Sequence, residues 1–201
     1  MMVDAYLIIG NNCDLTKYDL KDKFVVGIDK GAYLATINNI ELDLAVGDFD
    51  SVTLEELKTI NAKKIIKLNP IKDETDTLYA LRLCKNFDKL YLLGGISGKR
   101  IEHFVSNLML FKEFKNLVLI DDNSLIRLCD YEENFQKDEY KFYSFFALSE
   151  VEGLSLSGFK YELTDYTLKP FDTLGVSNEL VSDGFLSFKS GELLLIKTLK
   201  E

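Results

Sequence analysis

Short apolar runs recur at near-regular intervals through the first 120 residues, and they constrain the fold more than any other feature of the chain. They are AYLII (5–9), FVVGI (24–28), LDLAV (42–46), KIIKL (64–68), KLYLL (89–93) and NLVLI (116–120). Most are continuous apolar segments with β-branched residues, the pattern of strands buried on both faces. Helix-like stretches near 31–38, 53–61, 75–86 and 100–113 lie between them. Strand alternating with helix predicts a parallel α/β sheet.

After about residue 122 the rhythm changes. YKFYSFFAL (140–148), LSLSGFKYEL (154–163), DYTLK (165–169) and FLSFKSGELLLIKTL (185–199) read as strands, with Ser190-Gly191 as a hairpin turn. The expected architecture is therefore an α/β domain over 1–122, with a Rossmann-like parallel sheet, followed by a small all-β sandwich domain over 123–201. No linker rich in Gly or Pro separates the two.

Composition removes several classes. With 47% hydrophobic residues the chain can build a real core. A net charge of −9 repels phosphate backbones, so no nucleic-acid partner is expected. The single His103 and the widely spaced Cys13, Cys84 and Cys129, with no CxxC, argue against zinc and for reduced thiols in a cytoplasmic protein. The start, MMVDAYLIIG, is too short and too acidic for a signal peptide. No apolar run approaches the roughly 20 residues that span a bilayer, so no membrane role is expected.

In a parallel α/β sheet, ligands gather beyond the carboxyl ends of the strands. The segments there are IDKGA (28–32), GDFDS (47–51), NPIKDETDT (69–77) and GGISGKRIEH (94–103). Taken alone, Asp48 fits an Asx-turn, and Asp50 or Ser51 fits the cap of the next helix. The pair equally suits Mg²⁺, which takes oxygen ligands and keeps substrate phosphates in its shell. Asp73 fits a helix N-cap, with Asp76 in the first turn. In the functional reading Asp76 joins the metal, while Thr75 or Lys72 contacts phosphate. Four carboxylates on one edge repel one another without a cation, which favours the metal.

The turn at Gly94 and Gly95 leads from strand to helix and exposes backbone N–H groups suited to phosphate. It is neither a P-loop nor GxGxxG. On the helix that follows, Ile101, Phe104, Leu108 and Phe111 form an apolar stripe. Arg100, His103 and Asn107 fall on an adjacent stripe, with Arg100 suited to phosphate.

Together these stretches resemble the thiamin pyrophosphokinase family. The resemblance is carried by D-x-G at 29–31, GDFDS at 47–51, PIKDETD at 70–76 and GG-x-x-GKR-x-x-H-x-x-x-N at 94–107. In the second half it rests on YSFFAL (143–148), GLSLSGFKYEL (153–163) and LGVSNEL (174–180). It implies transfer of the pyrophosphoryl group of ATP to the hydroxyl of thiamin, with Mg²⁺ and release of AMP. It also implies a homodimer whose thiamin pocket forms where subunits meet. By motif match, Asp48, Asp50 and Asp76 would hold magnesium and the reacting phosphates, and Arg100 would stabilise them. Asp73 and Thr75 would shape the adjoining loop and, with Lys72, bind ATP. Asp29, Gly31, Gly94, Gly95, His103 and Asn107 would lie around ATP, and Ser177 and Asn178 in the thiamin pocket. The chain departs from the family in Glu102, often Asp there, and in having no tryptophan, on which some members stack thiamin. The competing readings are a pyrophosphokinase for another hydroxymethyl heterocycle, such as a pterin, and a non-catalytic nucleotide or metal sensor.

Overall fold

The computed structural model describes residues 3–10, 13–71, 73–98 and 100–200. The chain falls into two compact units, residues 1–122 and 123–201. The first carries β1 (Ala5–Ile9), β2 (Phe24–Ile28), α1 (Lys30–Ile37), β3 (Leu42–Gly47), α2 (Leu54–Thr59), β4 (Ala62–Lys67), α3 (Asp76–Leu83), β5 (Leu90–Leu93), α4 (Ile101–Met109) and β6 (Leu117–Ile120). Its strands lie in the order β6-β5-β1-β2-β3-β4, and every pairing is parallel. Leu7, Ile8, Val25, Val26, Leu92 and Leu93 are fully buried, as expected of strands covered on both faces.

β4 departs from that pattern. It is the edge strand, and Lys63, Lys64, Ile65 and Lys67 are exposed along it. Lysines on an edge discourage pairing with a further strand, so KIIKL is a guarded edge rather than a core strand.

The helix starts also differ from expectation. The hydroxyl of Thr53 accepts the Glu56 N–H at 3.2 Å, while the Glu56 carboxylate accepts the Thr53 N–H at 2.8 Å. This capping box starts α2, so neither Asp50 nor Ser51 is the cap. Thr75, not Asp73, caps α3, its hydroxyl accepting the Leu78 N–H at 3.1 Å. Asp76 is then the first helical residue, where a negative charge suits the helix dipole. On α4 the expected apolar stripe is broken: Ile101 is 68% exposed, whereas Asn107 is buried. α4 tightens into a 3₁₀ turn at Leu110–Lys112, and it is there that Phe111 reaches the core.

The chain runs outward from β1 through β2 and β3 to β4, then returns to lay β5 and β6 on the other side of β1. The strand order therefore reverses between β1 and β5. A crevice opens at the carboxyl ends beside such a switch point.

The second unit is all-β, with β7 (Ser124–Leu128), β8 (Glu132–Phe135), β9 (Phe142–Ala147), β10 (Val151–Phe159), β11 (Leu163–Leu168), β12 (Asn178–Ser187) and β13 (Leu193–Thr198). Their order is β11-β10-β12-β9-β13-β7, with β8 also on β12, and every pairing is antiparallel. β12 serves more than one ladder: Asn178 and Glu179 pair with β9, Gly184 to Ser187 pair with β8, and β10 pairs along it from Leu180 to Ser187. Phe135, Tyr143, Phe145 and Phe159 meet edge to face in the core between them.

Two expectations fail here. Ser190-Gly191 does not close a hairpin, because β9 lies between β12 and β13. It is a turn between ladders, where Glu152 N–H donates to Ser190 O at 3.2 Å. LSLSGFKYEL is not one strand either; it bends at residues 160–162 into β10 and β11. Among the described residues no helix is long and apolar enough to cross a membrane.

Candidate active site

GDFDS forms its geometry locally. Phe49 is buried at φ +60°, an unusual backbone state for a non-glycine residue. Burying the ring between two aspartates turns their carboxylates away from the core. Asp48 then closes an Asx-turn, its Oδ1 accepting the Asp50 N–H at 3.0 Å.

Asp29, at the end of β2, comes to meet this turn. Its backbone is strained, with φ +48°, and its Oδ1 accepts the Phe49 N–H at 3.1 Å. Gly47 makes the approach feasible, because a Cβ there would overlap that same oxygen. Asp29, Asp48 and Asp76 each place one carboxylate oxygen so that the three lie within 4.8 Å of one another. Asp50 is exposed and stands outside this triad. The close acid group is thus Asp29, Asp48 and Asp76, rather than Asp48, Asp50 and Asp76.

Burial pushes the Asp29 carboxyl up to about 6, against the lowering effect of the Phe49 N–H; the charges of Asp76, Asp48 and Asp50 push it further in the same direction. Three hard oxygen donors crowded together and mutually repelling are a donor set that fits Mg²⁺. A divalent cation would turn that repulsion into attraction.

Beside the triad, a cleft of about 500 Å³ lies at the switch point. Asp29, Ser51 and Thr77 line it on one side, and Gly94, Gly95, Ser97, His103 and Asn107 on the other. Gly94 has φ +88°, and a Cβ there would come within 2.8 Å of Ile9 O. Glycine lets this turn press against β1. Asn107 is buried, and its Nδ2 donates to Gly95 O at 2.9 Å, so it braces the turn from α4.

Arg100 lines the cleft but is exposed, and its Nε donates to Glu102 at 2.7 Å. That bond holds the Glu102 carboxyl below its ordinary value, and it gives the odd acid of the motif a partner. Lys30, Ser51, Thr77 and Ser97 also line the cleft and were not anticipated. Their signal was only adjacency to the motif residues.

Other expected residues sit differently. Gly31 is buried, and a Cβ on it would overlap the Ile8 carbonyl oxygen, so it lets α1 pack on β1. Asp73 and Thr75 line a separate cleft with Leu78, Ser106 and Met109. Lys72 lies outside the described residues. In the second unit, Ser177 is exposed at φ +56°, its N–H donating to Ser144 Oγ at 2.9 Å. Asn178 is buried, and its side chain is taken up by backbone. Its oxygen accepts the N–H groups of Tyr161 and Glu179, and its nitrogen donates to Tyr161 O at 2.7 Å.

Comparison with known proteins gives a consistent result. Residues 15–119 match the family described as thiamin pyrophosphokinase, catalytic domain. Residues 131–194 match thiamin pyrophosphokinase, vitamin B1 binding domain. The chain is 36% identical over 197 residues to a thiamine pyrophosphokinase of Bacillus subtilis (strain 168), covering 92% of each. A crystal structure of thiamine pyrophosphokinase from Bacillus subtilis superposes with a TM-score of 0.88 at 30% identity, covering 99% of this chain and 100% of that one. One from Geobacillus thermodenitrificans gives 0.86 at 27% identity, covering 100% of this chain and 99% of the other. Both halves match in order and over nearly their full length, and the chain belongs to the thiamin pyrophosphokinase family.

Proposed function

We propose that this chain transfers the pyrophosphoryl group of ATP to the hydroxyl of thiamin, giving thiamin diphosphate and AMP. The observation that carries the reading is the triad of Asp29, Asp48 and Asp76 beside the switch-point cleft, in a member of this family. In the reaction, the thiamin oxygen forms a bond to the β-phosphorus as the bond from that phosphorus to the bridging oxygen breaks. The bridging oxygen leaves on AMP with the electron pair, and the hydroxyl proton passes to a carboxylate, Asp48 or Asp76.

Asp29, Asp48 and Asp76 would hold Mg²⁺, and Asp50 would add negative charge beside them. When bound, the cation supplies charge neutralisation at the phosphates. Arg100 and Lys30 offer cations to the same phosphates. The Gly94 N–H is spent on Ile120 O at 2.9 Å, so the turn at Gly94 and Gly95 lies, with His103, beside ATP rather than as a phosphate donor. The alignment of hydroxyl and phosphorus supplies much of the rate.

In this reading residues 1–122 are a Rossmann-like ATP-binding catalytic domain. Residues 123–201 are a sandwich domain for thiamin binding and for assembly as a homodimer in the cytoplasm. Ser177 is the exposed group that contacts thiamin, and Asn178 braces the backbone beside it through Tyr161 and Glu179. Thiamin is cationic, which suits a chain of net charge −9.

The test is product identification after incubation with ATP, Mg²⁺ and thiamin. AMP with thiamin diphosphate is expected. ADP would mean simple phosphorylation, and no product would favour a sensor or a different acceptor.

A further inference from the structure

Asp121 follows β6 at the carboxyl edge of the sheet and is 7% exposed. Its Oδ2 accepts the Ser97 hydroxyl proton at 2.9 Å. Ser97 itself is exposed and lines the cleft. A hydroxyl has one proton to donate and lone pairs to accept with, while a carboxylate only accepts. Once the proton of Ser97 points to Asp121, the cleft meets only the lone pairs of that oxygen. Burying a carboxylate is costly unless it is hydrogen-bonded, so the orientation of this hydroxyl is held rather than free.

We infer that Ser97, oriented by Asp121, accepts a hydrogen bond from a neutral donor on the nucleoside part of the nucleotide, a ribose hydroxyl or the base amine. This rests on the ATP reading above. Phosphate oxygens are acceptors and find no donor in Ser97. The phosphates therefore lie toward Asp29, Asp48 and Asp76, and the nucleoside toward Ser97. Asp121 is the positioning residue, acting through Ser97. Acidic groups reading sugar hydroxyls at strand ends are an established use of such sheets; here a serine is interposed.

Calorimetric titration of the full chain in Mg²⁺ buffer tests this. The ligands are ATP, 2′-deoxyATP, 3′-deoxyATP and inosine triphosphate, which carries a carbonyl where ATP has its amine. One analogue should bind the wild type roughly 3- to 10-fold more weakly than ATP, the size of one neutral hydrogen bond, and its identity names the donor. Ser97→Ala should bind ATP and that analogue alike. Asp121→Asn, which keeps an acceptor oxygen, should retain the discrimination, and Asp121→Ala should lose it. A purely structural role for Asp121 would lower all affinities together and leave their ratio intact.

Equal binding of all four nucleotides to the wild type overturns the inference, as does discrimination that survives Ser97→Ala. Full discrimination in Asp121→Ala removes Asp121 from it. A wild type that binds no ATP overturns the ATP reading itself, and the inference falls with it.

Discussion

The Phe49 amide donates to Asp29 Oδ1 at 3.1 Å, tying the residue after β2 to the middle of the turn after β3. One hydrogen bond thus links two strand ends and aims a carboxylate at Asp48 and Asp76. It also opposes the burial that pushes the Asp29 carboxyl up to about 6.

That raised value gives a stability prediction. The folded chain holds the Asp29 proton more tightly than the unfolded chain, whose carboxyl keeps the ordinary value near 3.8. The protonated form therefore favours folding below the unfolded value, and this contribution is lost as pH rises through about 6. Without divalent cations, Asp29→Asn should melt a few degrees above wild type at pH 7.5, with no gain at pH 4, while turnover is lost. Melting curves in EDTA at both pH values check it. A variant less stable at pH 7.5 would show that the Phe49 hydrogen bond outweighs the burial.

The triad also ranks the aspartates. Asp48→Asn and Asp76→Asn should each lower kcat by about 10²–10³-fold, the range for removing one group that stabilises developing charge. Asp50→Asn, outside the triad, should cost less. Mg²⁺ should raise the melting temperature of wild type through binding to the folded state, and should fail to do so in Asp76→Asn. An Asp50 variant more damaged than Asp76→Asn would move the metal toward Asp50.

Gly47→Ala tests the approach of Asp29 directly. The new methyl would overlap Asp29 Oδ1 and must displace it, at a backbone φ of +154°. We expect a loss of about 1–3 kcal/mol in stability from strain and Mg²⁺ affinity reduced together with activity. Denaturant unfolding and metal titration measure the two effects separately.

In the second unit, neighbouring residues should behave differently. Asn178→Ala leaves the Tyr161 N–H and C=O without their side-chain partner and should destabilise the fold by about 1–3 kcal/mol. Ser177→Asn keeps a residue type that tolerates the left-handed backbone and adds bulk at an exposed position. It should raise KM for thiamin more than KM for ATP. Equal changes in both would move the thiamin pocket away from Ser177.

Much of the site was legible because its chemistry lies in contiguous stretches. GDFDS, KDETD and GGISGKR each follow an apolar run, and strand ends of a parallel sheet converge whatever the loop details. The division of labour within those stretches was less legible. Spacing on a helical wheel put Asn107 on the cleft face of α4, where it does lie, but it could not show that the amide is spent on Gly95 O. Acidity put Asp73 at the cap of α3, yet Thr75 fills that position. Turn residues made Ser190-Gly191 a hairpin, yet β9 separates β12 from β13.

The sequence by itself determined the alternation of strand and helix, the change to an all-β second half, and which four segments stand at the ligand-bearing edge. These follow from hydrophobic period and turn chemistry, which are local. Only the tertiary structure decided that Asp29 rather than Asp50 completes the acid triad. That choice depends on Phe49 entering the core at φ +60°, on Gly47 leaving room, and on two strands being neighbours in space. None of these is visible to a reading that moves along the chain one segment at a time.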